Sequence, residues 1–410
     1  SLKKFLSEAN NRGELFTAGI LLQLGLFGLV SLILYAGRGY VTDYLDGISA
    51  VLLVVVLFTT IVFAFVQNVL DGLHLVHVSS LLKPLDRLAR STLQVIAALG
   101  GLATAGLLYG YVAAGLLATI VGLYYVSLGM AVPERSSFAK LLSFARYSWL
   151  TSLGARAFSS MDTIVLGLFV ANGLIGVYEI AWNVASIMAI FGVSTARAVF
   201  PEMSQLAANG DHSEVGDLLT EAIRFTGLFL LPGLIGGALI GDRVLQVYGA
   251  DFVKGYEVLI VLISARIVYA YEAQFVTALN AINRPDIGFK IEGSFLVVNL
   301  VLNLALVNEF GWYGAAVATF TSALVAFAIG YAAINRVLNF AFPSKEIARQ
   351  VGASIVMGVA VLAGETLLPR GLPSTFVLVA LGVAVYLLVL LLVSPKFRST
   401  VRSNVPAVPR

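Results

Sequence analysis

Cysteine is absent from this sequence, and histidine occurs only three times. Without a thiol there is no disulfide framework, no cysteine nucleophile and no cysteine-ligated metal site. His74 and His77 stand three residues apart beside a basic stretch, and His212 lies in a polar segment. At that spacing near a helix end they read as a solvated pair, so no metal and no cofactor are expected. Charge is scarce too: Asp, Glu, Lys and Arg make up 12% of 410 residues, against 59% hydrophobic residues. With a mean hydropathy of +0.92, that balance excludes a soluble domain and indicates a polytopic membrane protein. Long polar loops are missing as well, which leaves no room for a soluble domain between spans. The net charge of +3 is explained by location, below, and implies no nucleic-acid partner.

What is present is a series of apolar runs near twenty residues, each long enough to cross a bilayer as a helix. The expected class is all-α, with about twelve transmembrane helices near 14–36, 49–71, 89–109, 111–131, 146–171, 174–200, 222–241, 256–281, 291–308, 312–336, 347–367 and 373–394. The polar segment 201–221 reads as a surface helix. Of the 26 Lys and Arg, Arg156, Arg197 and Arg266 fall within spans. Only Arg38, Arg243, Lys254 and Arg370 fall on one set of alternate loops. The other nineteen lie on the N-terminal tail and the opposite set. This bias predicts a cell-membrane protein with both termini cytoplasmic. Ser1–Gly13 is polar and amphipathic and does not read as a cleavable signal.

Residues 279–320 organise the rest. A basic turn (Arg284, Asp286, Lys290) precedes an apolar run. A polar hinge at Asn308-Glu309 follows, then a Gly/Ala-rich start from Gly311. The pattern is an antiparallel transmembrane hairpin, with Gly314, Ala315, Ala316 and Ala318 allowing close backbone approach. Residues 90–119 echo 290–319 in the same order, and 37–45 echo 241–249. Two pseudo-symmetric lobes follow: a partial one at 1–135 with four helices and a complete one at 136–340 with six. An extra helix pair and tail occupy 341–410. Matching the halves leads to the expectation that two further helices precede Ser1, and transporters are often built from such halves.

Several stretches carry a family likeness: Ser160–Gly167 with Gly176-Val177-Tyr178, Phe200-Pro201-Glu202-Met203-Ser204, Leu230–Gly233, Tyr248–Phe252 and Leu279–Thr319. In order and spacing the chain resembles the oligosaccharide flippases of the MOP superfamily, which also holds the lipid II flippases and the MATE drug exporters. The resemblance implies a transporter rather than an enzyme. Two lobes would rock around a central cavity and move lipid-linked glycan across the membrane by alternating access. The implied partners are that glycan lipid, membrane lipids and a coupling cation or proton, and the implied state is a monomer.

An ionised side chain at mid-membrane costs roughly 2.5–3.5 kcal/mol on insertion scales, so it should face water or a partner. Six lie within the expected spans: Arg156, Asp162, Glu179, Arg197, Arg266 and Glu272. Arg156 and Arg266 are candidates to grip a lipid pyrophosphate through guanidinium forks, or else to pair with acids. Arg197 is a candidate for admitting cargo, or snorkels. Asn183 could touch sugars. Asp162, Glu272 and Glu179 are candidates for coupling or for charge neutralisation, with Glu179 also fitting a solvated interfacial site. Trp149, Trp182 and Trp312 fit interface belts. Two alternatives remain at this stage: a MATE-like cation-coupled drug antiporter, which central arginines oppose, and a membrane glycan polymerase or ligase, which the short outer loops oppose.

Overall fold

The computed structural model describes residues 6, 12–45 and 48–404, with side chains described for these except 103, 143–159 and 400–404. Two compact units divide the chain, Ser1–Ser159 and Ser160–Arg410. The first contains α1 (Arg12–Ala36), the short α2 (Arg38–Tyr44), α3 (Ala50–Gly72), α4 (Val76–Leu99) and α5 (Ala103–Tyr124). Leucine, valine and alanine runs of this length close all backbone hydrogen bonds internally, as lipid requires. α5 packs against both α3 and α4. Its Gly122 makes this possible: a Cβ there would lie 2.6 Å from Val66 Cγ1 and 2.8 Å from Leu82 Cδ1.

The first unit corrects two expected spans. The hairpin turn falls at Gly100–Leu102, with Gly101 at φ +74°, and not near residue 110. The basic stretch 83–90, read as a loop, lies inside α4. Gly101 adopts a conformation that disfavours any residue with a Cβ, and the charges of α4 are confined to one side of the helix.

α6 (Arg135–Phe169) leads into the second unit. There α7 (Asn172–Ala208), α8 (His212–Gln246), α9 (Tyr256–Ala281) and α10 (Pro285–Val337) pack around α9. Leu259, Leu262, Phe275 and Leu279 of α9 are fully buried. A 3-10 turn, Ala250–Gly255, joins α8 to α9. No separate surface helix spans 201–221. α7 and α8 both extend towards a short turn, where Gly210 takes φ +87°.

α10 folds back on itself at Gly311, whose φ of 56° and ψ of −135° interrupt the helix. The expected hinge at Asn308-Glu309 therefore lies slightly early, because the reversal needs a residue without a Cβ. A Cβ on Gly314 would overlap the Leu306 carbonyl of the facing arm. α11 (Ser344–Leu367) and α12 (Leu372–Val393) pack on each other and on α8. The Tyr386 hydroxyl donates to the Leu228 carbonyl at 2.7 Å, and Arg243 bonds Glu365 at 3.0 Å. α13 (Pro395–Asn404) follows. Among the described residues, nine helices are long and apolar enough to cross a membrane, with the doubled-back α10 counted once. The chain is thus an all-α polytopic membrane protein.

Candidate functional site

Two polar centres lie in the apolar interior of the second unit. The first is built around Asp162, on the second-unit part of α6 and buried. Its Oδ2 accepts from the Tyr178 hydroxyl of α7 at 2.6 Å and from the Thr319 hydroxyl at 2.6 Å. Its Oδ1 accepts from Asn303 Nδ2 at 2.8 Å. Thr319 in turn accepts from Asn299 Nδ2 at 3.2 Å. The fold-back at Gly311 brings Asn299 and Asn303 on one arm opposite Thr319 on the other. Asn299 and Asn303 are four apart and so share one face of the helix.

Neutral dipoles rather than a cation therefore surround this carboxylate among the described residues. Such donors stabilise a buried anion without cancelling its charge. No ion pair or hydrogen bond joins Arg266 to Asp162 among the described residues. Arg266, on α9, donates from Nη2 to the Ser186 hydroxyl at 2.7 Å. Its guanidinium lies 3.9 Å from the Trp182 ring centroid, within cation–π range. Arg266 Nε is buried without a hydrogen-bond partner. Trp182 is thus the platform for this arginine.

The remaining candidates fall in several places. Glu272, one and two-thirds turns beyond Arg266, is buried, and its Oε1 has no hydrogen-bond partner among the described residues. Glu179 is half-buried and accepts a hydrogen bond from the Thr163 hydroxyl. Asn183 and Arg197 are exposed on α7. The side chain of Arg156 lies outside the described ones. The pattern of the sequence did not single out Tyr178, Thr319, Asn303 or Ser186 as site residues. The available signal was the Asn299/Asn303 pair in an otherwise apolar run, where unpaired amides are costly.

Comparison with known proteins resolves which family this architecture represents. The profile of the lipid II flippase MurJ family matches residues 20–387. The chain belongs to the lipid II flippase MurJ family. This flippase-family chain is 31% identical to the probable flippase AglR of Haloferax volcanii over 381 residues, covering 92% of this chain and 80% of that one. It is 25% identical to the probable low-salt glycan biosynthesis flippase Agl15 of the same organism, covering 100% and 87%. The fold is similar to a solved lipid II flippase MurJ in an inward closed conformation, with a TM-score of 0.79 at 14% identity, over 98% of this chain and 90% of that one. A MATE structure in a bent conformation aligns with a TM-score of 0.52 at 13% identity, over 85% and 82%. The MOP superfamily resemblance is thereby established. The protein is a multi-pass plasma-membrane transporter of the flippase class and not an enzyme.

Proposed function

We propose that this flippase translocates a polyprenyl-linked oligosaccharide across the plasma membrane by alternating access, for assembly of cell-surface polysaccharide or glycoprotein. The observation that carries the reading is the posture of Arg266. Its fork is held flat by Trp182 and Ser186, and Nε has no hydrogen-bond partner among the described residues. A planar guanidinium with spare donors suits bidentate capture of phosphate, and pre-organisation lowers the entropic cost of that capture. Arg156, Arg197 and Asn183 would serve the same cargo path. Asp162, held by neutral donors among the described residues, would hold the coupling cation or proton, and Glu272 and Glu179 would adjust the local charge.

Finer architecture belongs to the same reading. Counting the two arms of α10 separately, and adding α4 and α6, brings the spans to twelve. The lobes would comprise 1–135 and 136–340, with 341–410 as an appended pair and tail. Both termini would be cytoplasmic and the protein monomeric. The test is a lipid extract from cells lacking the gene, in which lipid-linked glycan is expected to accumulate on the cytoplasmic leaflet. Arg266→Ala should reproduce that accumulation with the protein still folded, and Arg266→Lys should only partly relieve it. Normal glycan export with Arg266→Ala would remove the phosphate role.

A further inference from the structure

The contact between α9 and the first arm of α10 is built in layers. Val276 packs on Gly288, where a Cβ would lie 3.2 Å from Val276 Cγ1. Tyr269 meets Phe295, their ring centroids 6.4 Å apart. The two helices run antiparallel through the turn at 282–284, so the layer between these pairs sets Glu272 opposite Glu292. Tyr269, Glu272 and Val276 follow one another at helical spacings of three and four residues, as do Gly288, Glu292 and Phe295. Each set therefore shares one face of its helix. The charges of Glu272 and Glu292 lie within electrostatic reach of each other.

Neither acid has a compensating cation among the described residues. Glu272 is 3% exposed and its Oε1 has no hydrogen-bond partner there, whereas Glu292 is exposed. Arg266, on the same helix as Glu272, is bonded to Ser186 instead. Arg197 of α7, Arg224 of α8 and Lys290 of α10 give Glu272 no counter-charge. Tyr269 is the other titratable group within its reach. A buried carboxylate without donors or a cation is costly to keep ionised, and a second carboxylate facing it adds like-charge repulsion. One proton relieves both, because a protonated carboxyl can donate to an ionised one. Asp162 differs in kind: its oxygens already accept from Tyr178, Thr319 and Asn303, which suits a standing anion.

We propose that Glu272 and Glu292 bind one proton between them, at a site separate from Asp162. The exposed Glu292 exchanges that proton with the surroundings, and the buried Glu272 retains it. With the proton bound, the carboxyl of one residue donates to the carboxylate of the other and the layer is closed. When the proton leaves, two negative charges face each other and the α9–α10 contact is weakened at this layer. The two groups titrate as a unit. Use of the proton in transport rests on the flippase reading; the binding itself does not.

The test is infrared difference spectroscopy of the full chain in lipid nanodiscs during a pH titration, reading the carbonyl stretch of protonated carboxyl groups. The unaltered protein should show a carboxylic-acid band that persists at neutral pH and disappears on further alkalinisation. Glu272→Gln should abolish that band, and Glu292→Gln should move its midpoint down by about one pH unit or more, since the facing charge is gone. Glutamine keeps the carboxyl's shape and donates as the protonated acid does, so both variants should fold. Thermal unfolding gives a second measure: the unaltered protein should lose stability as pH rises through the loss of the band, and Glu272→Gln should lose less. No band at neutral pH overturns the proposal, as does a band retained in Glu272→Gln or an unmoved midpoint in Glu292→Gln. Stabilisation by added sodium or potassium in place of the band assigns the pair to a metal cation and overturns it too. Each of these results leaves the flippase reading standing, because the lipid extract tests that separately. Normal glycan export by Glu272→Gln, with the band gone, overturns the transport role alone.

Discussion

Asp162→Asn separates the charge of the first polar centre from its structural part. In the native arrangement one carboxylate accepts three hydrogen bonds, from Tyr178, Thr319 and Asn303. An amide of the same shape keeps one oxygen, which can take the place of Oδ2 and still accept from both hydroxyls. Its nitrogen then meets the Asn303 nitrogen, two donors face to face. Asn303 has a remedy, because its own Oδ1 has no hydrogen-bond partner. Turning that amide over offers the oxygen to the new nitrogen, at the expense of the bond from Asn303 Nδ2 to the Asn299 carbonyl. The bond between the two side chains is kept with its direction reversed and one bond, to the Asn299 carbonyl, is lost; hydrogen bonds between helices in lipid average only about 0.6 kcal/mol. The stability change should stay within about 1 kcal/mol. Asp162→Ala instead removes the acceptor shared by Tyr178, Thr319 and Asn303, all three buried, and should cost roughly 1–3 kcal/mol. Thermal unfolding in detergent should therefore place Asp162→Asn beside the native protein and Asp162→Ala clearly below it. If the carboxylate carries the coupling ion, both variants should accumulate lipid-linked glycan in cells. Full export by the stable Asp162→Asn protein would refute the charge argument. A melting temperature for it as low as that of Asp162→Ala would refute the amide exchange.

Gly311→Ala should lower stability by about 1–2 kcal/mol or more, since φ of 56° there forces a Cβ into strain. A thermal scan showing no loss would mean that the fold-back can be made at a neighbouring residue. Arg243→Ala breaks a bond to Glu365 in which the arginine side chain is only 4% exposed. With Glu365 itself partly solvated, the cost is expected near 1–3 kcal/mol. Lys254→Ala removes an exposed pair with Asp251 and should change stability by less than about 0.5 kcal/mol. Unfolding curves in low and high salt distinguish them, because salt should weaken only the second pair.

What the sequence disclosed and what it hid divide along a physical line. Hydropathy reveals each apolar run, so α1, α3, α9, α11 and α12 lie close to where composition alone puts them. It does not say where a run turns, because a reversal depends on one residue's φ, as at Gly101 and Gly311. The charged stretch 83–90 was hidden for a related reason: its charges fall on one side of a helix, α4, and a count of charges along the sequence reads such a stretch as a turn. The polar centres were harder still. Asp162 finds its donors 16, 141 and 157 residues further along the chain, a distance no local pattern spans. The equal number of acids and arginines within the spans suggested mutual neutralisation. Among the described residues, the contacts of Arg266 and Asp162 are instead with a ring, hydroxyls and an amide. That choice matters for transport. An ion pair at mid-membrane would be spent on stability, whereas charges held by dipoles would keep their sign for the phosphate and the cation of the proposed cycle.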